Sequence, residues 1–446
     1  MMNLEKFIGK GVTKMGILLL FIILIFEIAS AVYCIVTKQN HRKIKNYIRI
    51  STFITFVILT LSSVIVWGLQ WVMLGTLLLL LALKATVSLI RNKENKKYKT
   101  SKIVWKSIVM IVVTVFVLAP AIVFPQYKSP KVTGEYKVAT ATYTYTDKNR
   151  MEEFTDKEQY RFVNVGFWYP KNGNGTYPLL VFSHGAYGIK DSNSSTYTEL
   201  ASHGYVVVSI DHPYHSFYTR SEDGIVTMIN SDFRKEFENK NKGVYSNEEE
   251  YYLIQKWMKL RTDDMNFVID TILTKVKSDN DPIFQHINTE KIGVFGHSMG
   301  GAASVWLGRT RDDVSAVVNI DAPFFSELVY NKADDNFIAS SKTYTTPLFN
   351  IYSDDVWRQL DSVPVYVANK LNNKQLEGAY TTHFKGAKHL SLTDLQLFSP
   401  ILANMLHGGK PNINPYYCIE KENELILKFF DYELKGIGHF NPKKTY

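Results

Sequence analysis

Four long apolar runs near the start of this chain restrict its structure more than any other feature. They cover residues 15–36, 50–67, 71–90 and 103–124. Each run is long enough to cross about 30 Å of hydrocarbon as a helix. A cleaved signal peptide would account for the first run but not for the other three. We therefore predict a membrane segment over residues 1–124 with four transmembrane helices.

The lysines and arginines between these runs predict how the helices are oriented. The connection at 37–49 carries five basic residues, the stretch at 91–106 seven, the N-terminus three and the turn at 68–70 none. Because basic connections stay in the cytoplasm, we expect everything after residue 124 on the extracytoplasmic side of a cell membrane. Glu27 and Lys84 share a similar depth, so either they form an ion pair or Lys84 extends to the cytoplasmic face.

The positive net charge of +9 belongs to this front segment. The first 130 residues hold 17 of the 51 basic residues but only three of the 42 acidic ones, so the rest of the chain is slightly acidic. A nucleic-acid-binding domain would carry its basic residues on one folded face, and we expect no such partner. Cys34 and Cys418 have no metal-ligand spacing. We predict no metal and no cofactor, and no pattern indicates an oligomeric state.

After a predicted linker at 125–134, residues 135–446 alternate between strand and helix patterns. Such alternation predicts a mostly parallel sheet with helices on both faces. Ser246 and Glu249 form the pattern of a capping box at the start of a long helix. The polar stretch at 214–245 has no clear period and is a candidate lid. Besides a strand before residue 296, strands are expected at 136–146, 160–169, 179–182, 205–210, 314–320, 348–352 and 380–384, and a final helix at 425–434.

The segment Gly296-His-Ser-Met-Gly300 follows a short apolar run and precedes small residues that favour a helix. This pattern is typical of the nucleophile elbow, in which a sharp turn between strand and helix exposes a serine. Side chains at positions 296 and 300 would collide with the neighbouring strand and helix. Ser298 is therefore the candidate nucleophile of an α/β-hydrolase fold.

A serine nucleophile needs a histidine to take its proton and a carboxylate to orient that histidine. In this fold the chain order is serine, acid, histidine. His389 lies in the loop after the last predicted strand and is the expected base, with His383, inside that strand, as the alternative. For the acid, both Asp321 and Asp354 follow a strand. We favour Asp321 because it ends an apolar run one unit after the serine strand, and Asp354 stays open.

The oxyanion hole of this fold uses two backbone N–H groups. One comes from the residue after the nucleophile, which is Met299. The other comes from the loop after the third strand, where Gly185 lets the backbone approach closely, so Ala186 is the candidate. His184 is expected to orient that loop. A metal site at Asp211, His212 and His215 is disfavoured because a triad needs no metal.

Several segments resemble the family of platelet-activating factor acetylhydrolase isoform II and lipoprotein-associated phospholipase A2, which are serine α/β-hydrolases. The resemblance covers about residues 160–436. It implies Asp321 rather than Asp354 as the acid, His389 as the base, and hydrolysis of short or oxidised sn-2 acyl chains of phospholipids without calcium. The family commonly has Phe where Met299 stands and a bulkier residue than Ala186. The matching segments are 183–186, 296–301, 319–323 and 386–394, with 429–436 similar to the closing helix.

The sequence thus predicts a membrane-anchored serine ester hydrolase acting on a lipid ester. A general carboxylesterase or polyesterase-like enzyme would use the same triad and is one alternative. A catalytically silent hydrolase fold that serves as a sensor or binding module is another. The presence of Ser298, His389 and Asp321 together argues against the silent module.

Overall fold

The computed structural model describes residues 15–91, 98–370 and 379–446. The chain divides into two compact units, Met1–Ser129 with Gln396–Met405, and Pro130–Leu395 with Leu406–Tyr446. The basic N-terminus and the basic residues at 92–97, on which the predicted orientation partly rests, lie outside the described residues. The domain boundaries expected from the sequence, at 124 and 134, stay a prediction.

The first unit contains four helices of 20 to 24 residues that are long and apolar enough to cross a membrane. Large apolar side chains point away from the bundle, and Phe21, Ile25 and Phe116 are each more than half exposed. Between helices, Asn46 Nδ2 donates a hydrogen bond to Ser88 Oγ at 3.0 Å. The four helices are α1 (Met15–Val36), α2 (Arg42–Leu61), α3 (Leu69–Ile90) and α4 (Thr100–Val123).

In this unit the bounds of one helix differ from the prediction, and one of the two alternatives for Glu27 and Lys84 is not observed. Helix α2 begins at Arg42, before the apolar run at 50–67, and ends at Leu61, before that run ends. It begins early because lysine and arginine are good helix formers and no helix-breaking residue separates them from the run. Glu27 is buried, but the described residues contain no ion pair between it and Lys84, which is exposed.

The second unit is built on an eight-stranded sheet with the order β1-β2-β4-β3-β7-β8-β11-β12. Strand β2 pairs antiparallel with β1 on one side and with β4 on the other, and the remaining pairs are parallel. The predicted mostly parallel sheet is confirmed. Its strands are β1 (Val138–Met151), β2 (Tyr160–Pro170), β3 (Tyr177–Ser183), β4 (Val206–Asp211), β7 (Ile287–His297), β8 (Val314–Ile320), β11 (Leu348–Ser353) and β12 (Ala379–Phe384).

Helices cover both faces of this sheet, and one apolar core lies on each face. On one face, Trp257 and Ile269 pack with Val294. On the other, Tyr197 and Phe430 pack with Phe295. The helices of this unit are α5 (Ser194–Ser202), α6 (Ser231–Asn241), α7 (Asn247–Ser278), α8 (Pro282–Gln285), α9 (Met299–Thr310), α10 (Asp354–Trp357) and α13 (Pro415–Phe430). Two further helices, α11 (Leu395–Phe398) and α12 (Pro400–Leu406), belong almost entirely to the first unit.

The predicted capping box is confirmed, whereas two short hairpins were not predicted. The capping box of Ser246 and Glu249 is formed at the start of α7. The candidate lid at 214–245 contains a hairpin of β5 (Tyr218–Arg220) and β6 (Val226–Met228), followed by α6. A second hairpin consists of β9 (Leu328–Asn331) and β10 (Asn336–Ala339). Strands of three or four residues are too short to show a period of two.

Candidate active site

Ser298 stands at the turn between β7 and α9 with φ 55° and ψ −124°. A positive φ is uncommon for a residue with a side chain and marks local strain. The turn is held by a hydrogen bond from Ser298 N–H to the Ile320 carbonyl at 2.8 Å. A Cβ at Gly296 would lie 2.3 Å from the backbone of Gly300, and one at Gly300 would lie 1.9 Å from the Ser183 carbonyl oxygen. Only glycine fits at these two positions.

Asp321 and His389 are joined by a hydrogen bond of 2.8 Å from His389 Nδ1 to Asp321 Oδ2. Asp321 follows β8 and is almost fully buried, while the His389 side chain is 36% exposed. Ser353 donates to the two Asp321 oxygens through its backbone N–H and its hydroxyl, both at 2.7 Å. Three donors therefore fix this carboxylate, and His389 Nε2 has no hydrogen-bond partner among the described residues.

The loop that carries His389 lies next to the elbow. His297, the residue before Ser298, donates from Nε2 to the His389 carbonyl at 3.0 Å, and the two imidazole rings are 4.5 Å apart. Burial, and then the neighbouring His389, lower the pKa of His297 well below its usual value. In the described part of the chain Ser298 Oγ forms no hydrogen bond with His389. Such bonds are often long before substrate binds.

The alternative acid and the alternative base bind each other. His383 Nε2 lies 2.5 Å from Asp354 Oδ1. The other Asp354 oxygen accepts from the Gly386 N–H at 2.8 Å. Asp354 thus anchors the start of the loop that carries His389, while Asp321 contacts His389 itself.

The two amides expected to form the oxyanion hole are both unpaired. Neither Ala186 N–H nor Met299 N–H donates to another described residue. Met299 is the first residue of α9, where an N–H has no acceptor within the helix. The loop before Ala186 runs close to the nucleophile, since a Cβ on Gly185 would lie 3.1 Å from Ser298 Cβ. Two free backbone donors are available for an anion.

His184 and the three residues of the disfavoured metal site have separate partners. His184 binds the Gly185 carbonyl and Ser216 Oγ, as expected of a residue that orients its loop. Asp211 pairs with Lys190 at 3.1 Å. His212 contacts Ser183 Oγ and an aspartate, and His215 stacks on a phenylalanine. No cluster of metal-binding side chains occurs in the described ranges.

Behind the loop at 183–186 the structure contains a network of buried charged residues that was not predicted from the sequence. Arg161 donates to Asp264 at 2.7 Å, and Asp264 accepts from His212 at 3.0 Å. Arg261 is also fully buried. The sequence offers one signal for this network, because Asp264 lies at helical spacing between the apolar residues Leu260 and Val268.

One family of known proteins matches a large part of this chain. The family description "Platelet-activating factor acetylhydrolase, isoform II" matches residues 163–441, which is more than half of the chain. The chain belongs to this family. The resemblance read from the sequence is thereby confirmed, and the matched residues include the elbow and both loops described above.

Individual members of the family are distant relatives. The chain is 25% identical to a platelet-activating factor acetylhydrolase of Gallus gallus over 286 residues, or 58% of this chain and 62% of that protein. For the Bos taurus protein the identity is 25% over 284 residues, covering 58% and 57%. The chain therefore spans about three-fifths of the length of these curated relatives.

A solved structure supports the fold. A ferulic acid esterase from Streptomyces cinnamoneus superposes with a TM-score of 0.55 at 18% sequence identity. The match covers 71% of this chain and 96% of the esterase. At this level of identity the likeness establishes the α/β-hydrolase fold and nothing about substrate.

Proposed function

We propose that this chain is a membrane-anchored serine ester hydrolase in which Ser298, His389 and Asp321 form the catalytic triad. The observation that carries the proposal is the hydrogen-bonded pair of His389 and buried Asp321, next to a serine with a positive φ. The two unpaired amides of Ala186 and Met299 supply the oxyanion hole. We propose no cofactor, since a triad of this kind needs none.

Acylation begins when Ser298 Oγ attacks the ester carbonyl carbon. His389 Nε2 takes the hydroxyl proton, because its Nδ1–H is already committed to Asp321. The buried carboxylate stabilises the imidazolium that forms. The Ala186 and Met299 N–H groups donate to the oxyanion of the tetrahedral intermediate. The intermediate collapses, His389 returns the proton to the leaving alcohol, and an acyl-Ser298 ester remains.

Deacylation repeats these steps with water as the nucleophile. His389 takes a proton from the water as it attacks the acyl-enzyme, and the same two amides stabilise the second oxyanion. Collapse of that intermediate returns the proton to Ser298 Oγ and releases the carboxylic acid. The cycle consumes one water for each ester bond.

For the substrate we propose phospholipids with a short or oxidised sn-2 acyl chain. Two observations support this choice. The relatives described above are acetylhydrolases of platelet-activating factor by name, and four apolar helices would hold the enzyme at a bilayer. The basic connections of those helices favour the extracytoplasmic side for the catalytic unit.

Hydrolysis by the full chain in detergent tests the activity and the substrate together. The substrates are p-nitrophenyl esters of increasing acyl length and phosphatidylcholine with a short sn-2 chain, each with Ser298→Ala alongside. We expect turnover that is strongest on the phospholipid and falls by several orders of magnitude in the variant. Turnover of simple esters alone would instead favour a general carboxylesterase. No turnover from folded protein would favour a silent binding module.

Proteolysis of intact spheroplasts tests the orientation. We expect the catalytic unit to be cut and the basic stretch at 91–106 to be protected. The opposite pattern would place the catalytic unit in the cytoplasm and would contradict the proposed orientation.

A further inference from the structure

Arg261, on helix α7, is a buried cation without a carboxylate partner. Its side chain is completely buried, and it forms no ion pair in the part of the chain that the structure describes. The nearby Asp264 instead binds Arg161 and Arg150. Burying a guanidinium without a carboxylate partner is unfavourable, so packing alone does not favour an arginine here.

The donors of Arg261 are directed at the loop that precedes Ala186. Nη1 donates to the His184 carbonyl at 2.8 Å, and Nη2 donates to the Gly185 carbonyl at 3.4 Å. Ser183 Oγ lies 3.4 Å from Nη1. The Gly185 carbonyl also accepts from the Gly188 N–H at 3.1 Å and lies 2.6 Å from His184 Nδ1. Arg261 thus contacts two consecutive carbonyls of the loop with one rigid, planar group, and shares the second carbonyl with these partners.

The geometry of the peptide bond links the hydrogen bond at the Gly185 carbonyl to the proposed reaction. In a trans peptide the carbonyl and the N–H point in opposite directions, so holding the Gly185 carbonyl turns the Ala186 N–H away from Arg261. Gly185 itself lies beside Ser298. A cation at the carbonyl also polarises the peptide and strengthens its N–H as a donor.

We propose that Arg261 is a positioning residue for the oxyanion hole, which by holding the His184 and Gly185 carbonyls directs the Ala186 N–H at the oxyanion. This inference rests on the proposed function of Ser298. Arg261 does not touch the substrate. Its effect is therefore confined to the transition state and to ligands that resemble it.

The test compares Arg261→Met and Arg261→Lys in the full chain in detergent. We expect Arg261→Met to lower kcat for p-nitrophenyl butyrate about 10²-fold, the usual cost of losing one oxyanion donor, with little change in KM. Inhibition by a trifluoromethyl ketone, which forms a tetrahedral adduct with serine, should weaken by a similar factor. Arg261→Lys keeps the charge and should fall between Arg261→Met and the parent protein in both measurements.

A matched control separates positioning from folding. Arg311→Met removes an arginine that binds Asp313 and Asp270 and does not touch the loop, and it should leave kcat and inhibition unchanged. The fraction of Ser298 that reacts to completion with a fluorophosphonate corrects each kcat for unfolded protein. If Arg261→Met fails to fold, the same comparison is made with Arg261→Lys.

Two outcomes distinguish this inference from the proposed function. Unchanged kcat per reactive serine and unchanged inhibition in both Arg261 variants, with Ser298→Ala inactive, would overturn the positioning role alone. Full turnover by Ser298→Ala would overturn the proposed function itself.

Discussion

Four completely buried histidines should make the catalytic unit sensitive to mild acid. Burial lowers the pKa of His184, His212, His215 and His297, in the case of His212 to about 3. A histidine in an unfolded chain has a pKa of about 6.5. Below that pH the unfolded state binds protons that the folded state does not, so the free energy of unfolding falls as the pH falls.

The size of the effect follows from this difference in proton binding. Between pH 7.5 and pH 5.5, each histidine that stays neutral in the fold favours the unfolded state by about 1.4 kcal/mol. For the four buried rings together the loss is about 5 kcal/mol. Because domains are stable by only about 5 to 15 kcal/mol, a loss of this size would remove a large part of the stability.

Urea unfolding of the full chain in detergent, followed by tryptophan fluorescence at pH 7.5, 6.5 and 5.5, measures this loss. His215 is the best position for a variant, because its ring stacks 3.7 Å from Phe233 and its Nδ1 has no described partner. His215→Phe should reduce the loss by about a quarter. The control His439→Gln changes an exposed histidine and should not alter it. A free energy of unfolding that is constant from pH 7.5 to 5.5 would refute the reasoning.

Two further predictions concern the triad and the elbow. Asp321→Asn should lower kcat about 10⁴-fold, because His389 would be held in the wrong tautomer. Asp354→Asn should retain a kcat of the same order as the parent protein. A large loss of kcat in Asp354→Asn and a small one in Asp321→Asn would instead make Asp354 the acid. Gly300→Ala should lower the melting temperature strongly, because its Cβ would meet the Ser183 carbonyl oxygen at 1.9 Å. Gly175→Ala is the matched control, since a Cβ there has no neighbour within 4 Å; equal melting temperatures of the two variants would contradict the steric argument.

Features that depend on neighbouring residues could be predicted from the sequence. The apolar runs indicated four long helices, and alternation of strand and helix patterns indicated the parallel sheet. The capping box of Ser246 and the glycines around Ser298 act within a few residues of each other. The bounds of α2 were predicted wrongly because an apolar run shows only which residues suit the interior of a membrane. The helix itself also includes basic residues before the run, which are good helix formers.

Features that depend on distant contacts were decided by the tertiary structure. Strands β8 and β11 are adjacent and parallel, so Asp321 and Asp354 both emerge at the same edge of the sheet, and residue patterns alone left either one able to serve. His383 binds Asp354, whereas His389, 68 positions from Asp321 in the chain, binds Asp321.

The role proposed for Arg261 illustrates the same limit. Its sequence context predicts only a charged residue on a helix, and the carbonyls that it holds are 76 and 77 positions away. Local periodicity therefore determined which segments are helices and strands and where the serine turn lies. Packing between strands and loops far apart in the chain decided which aspartate binds His389 and which arginine contacts the loop of Ala186, because a local sequence pattern contains no information about contacts between distant residues.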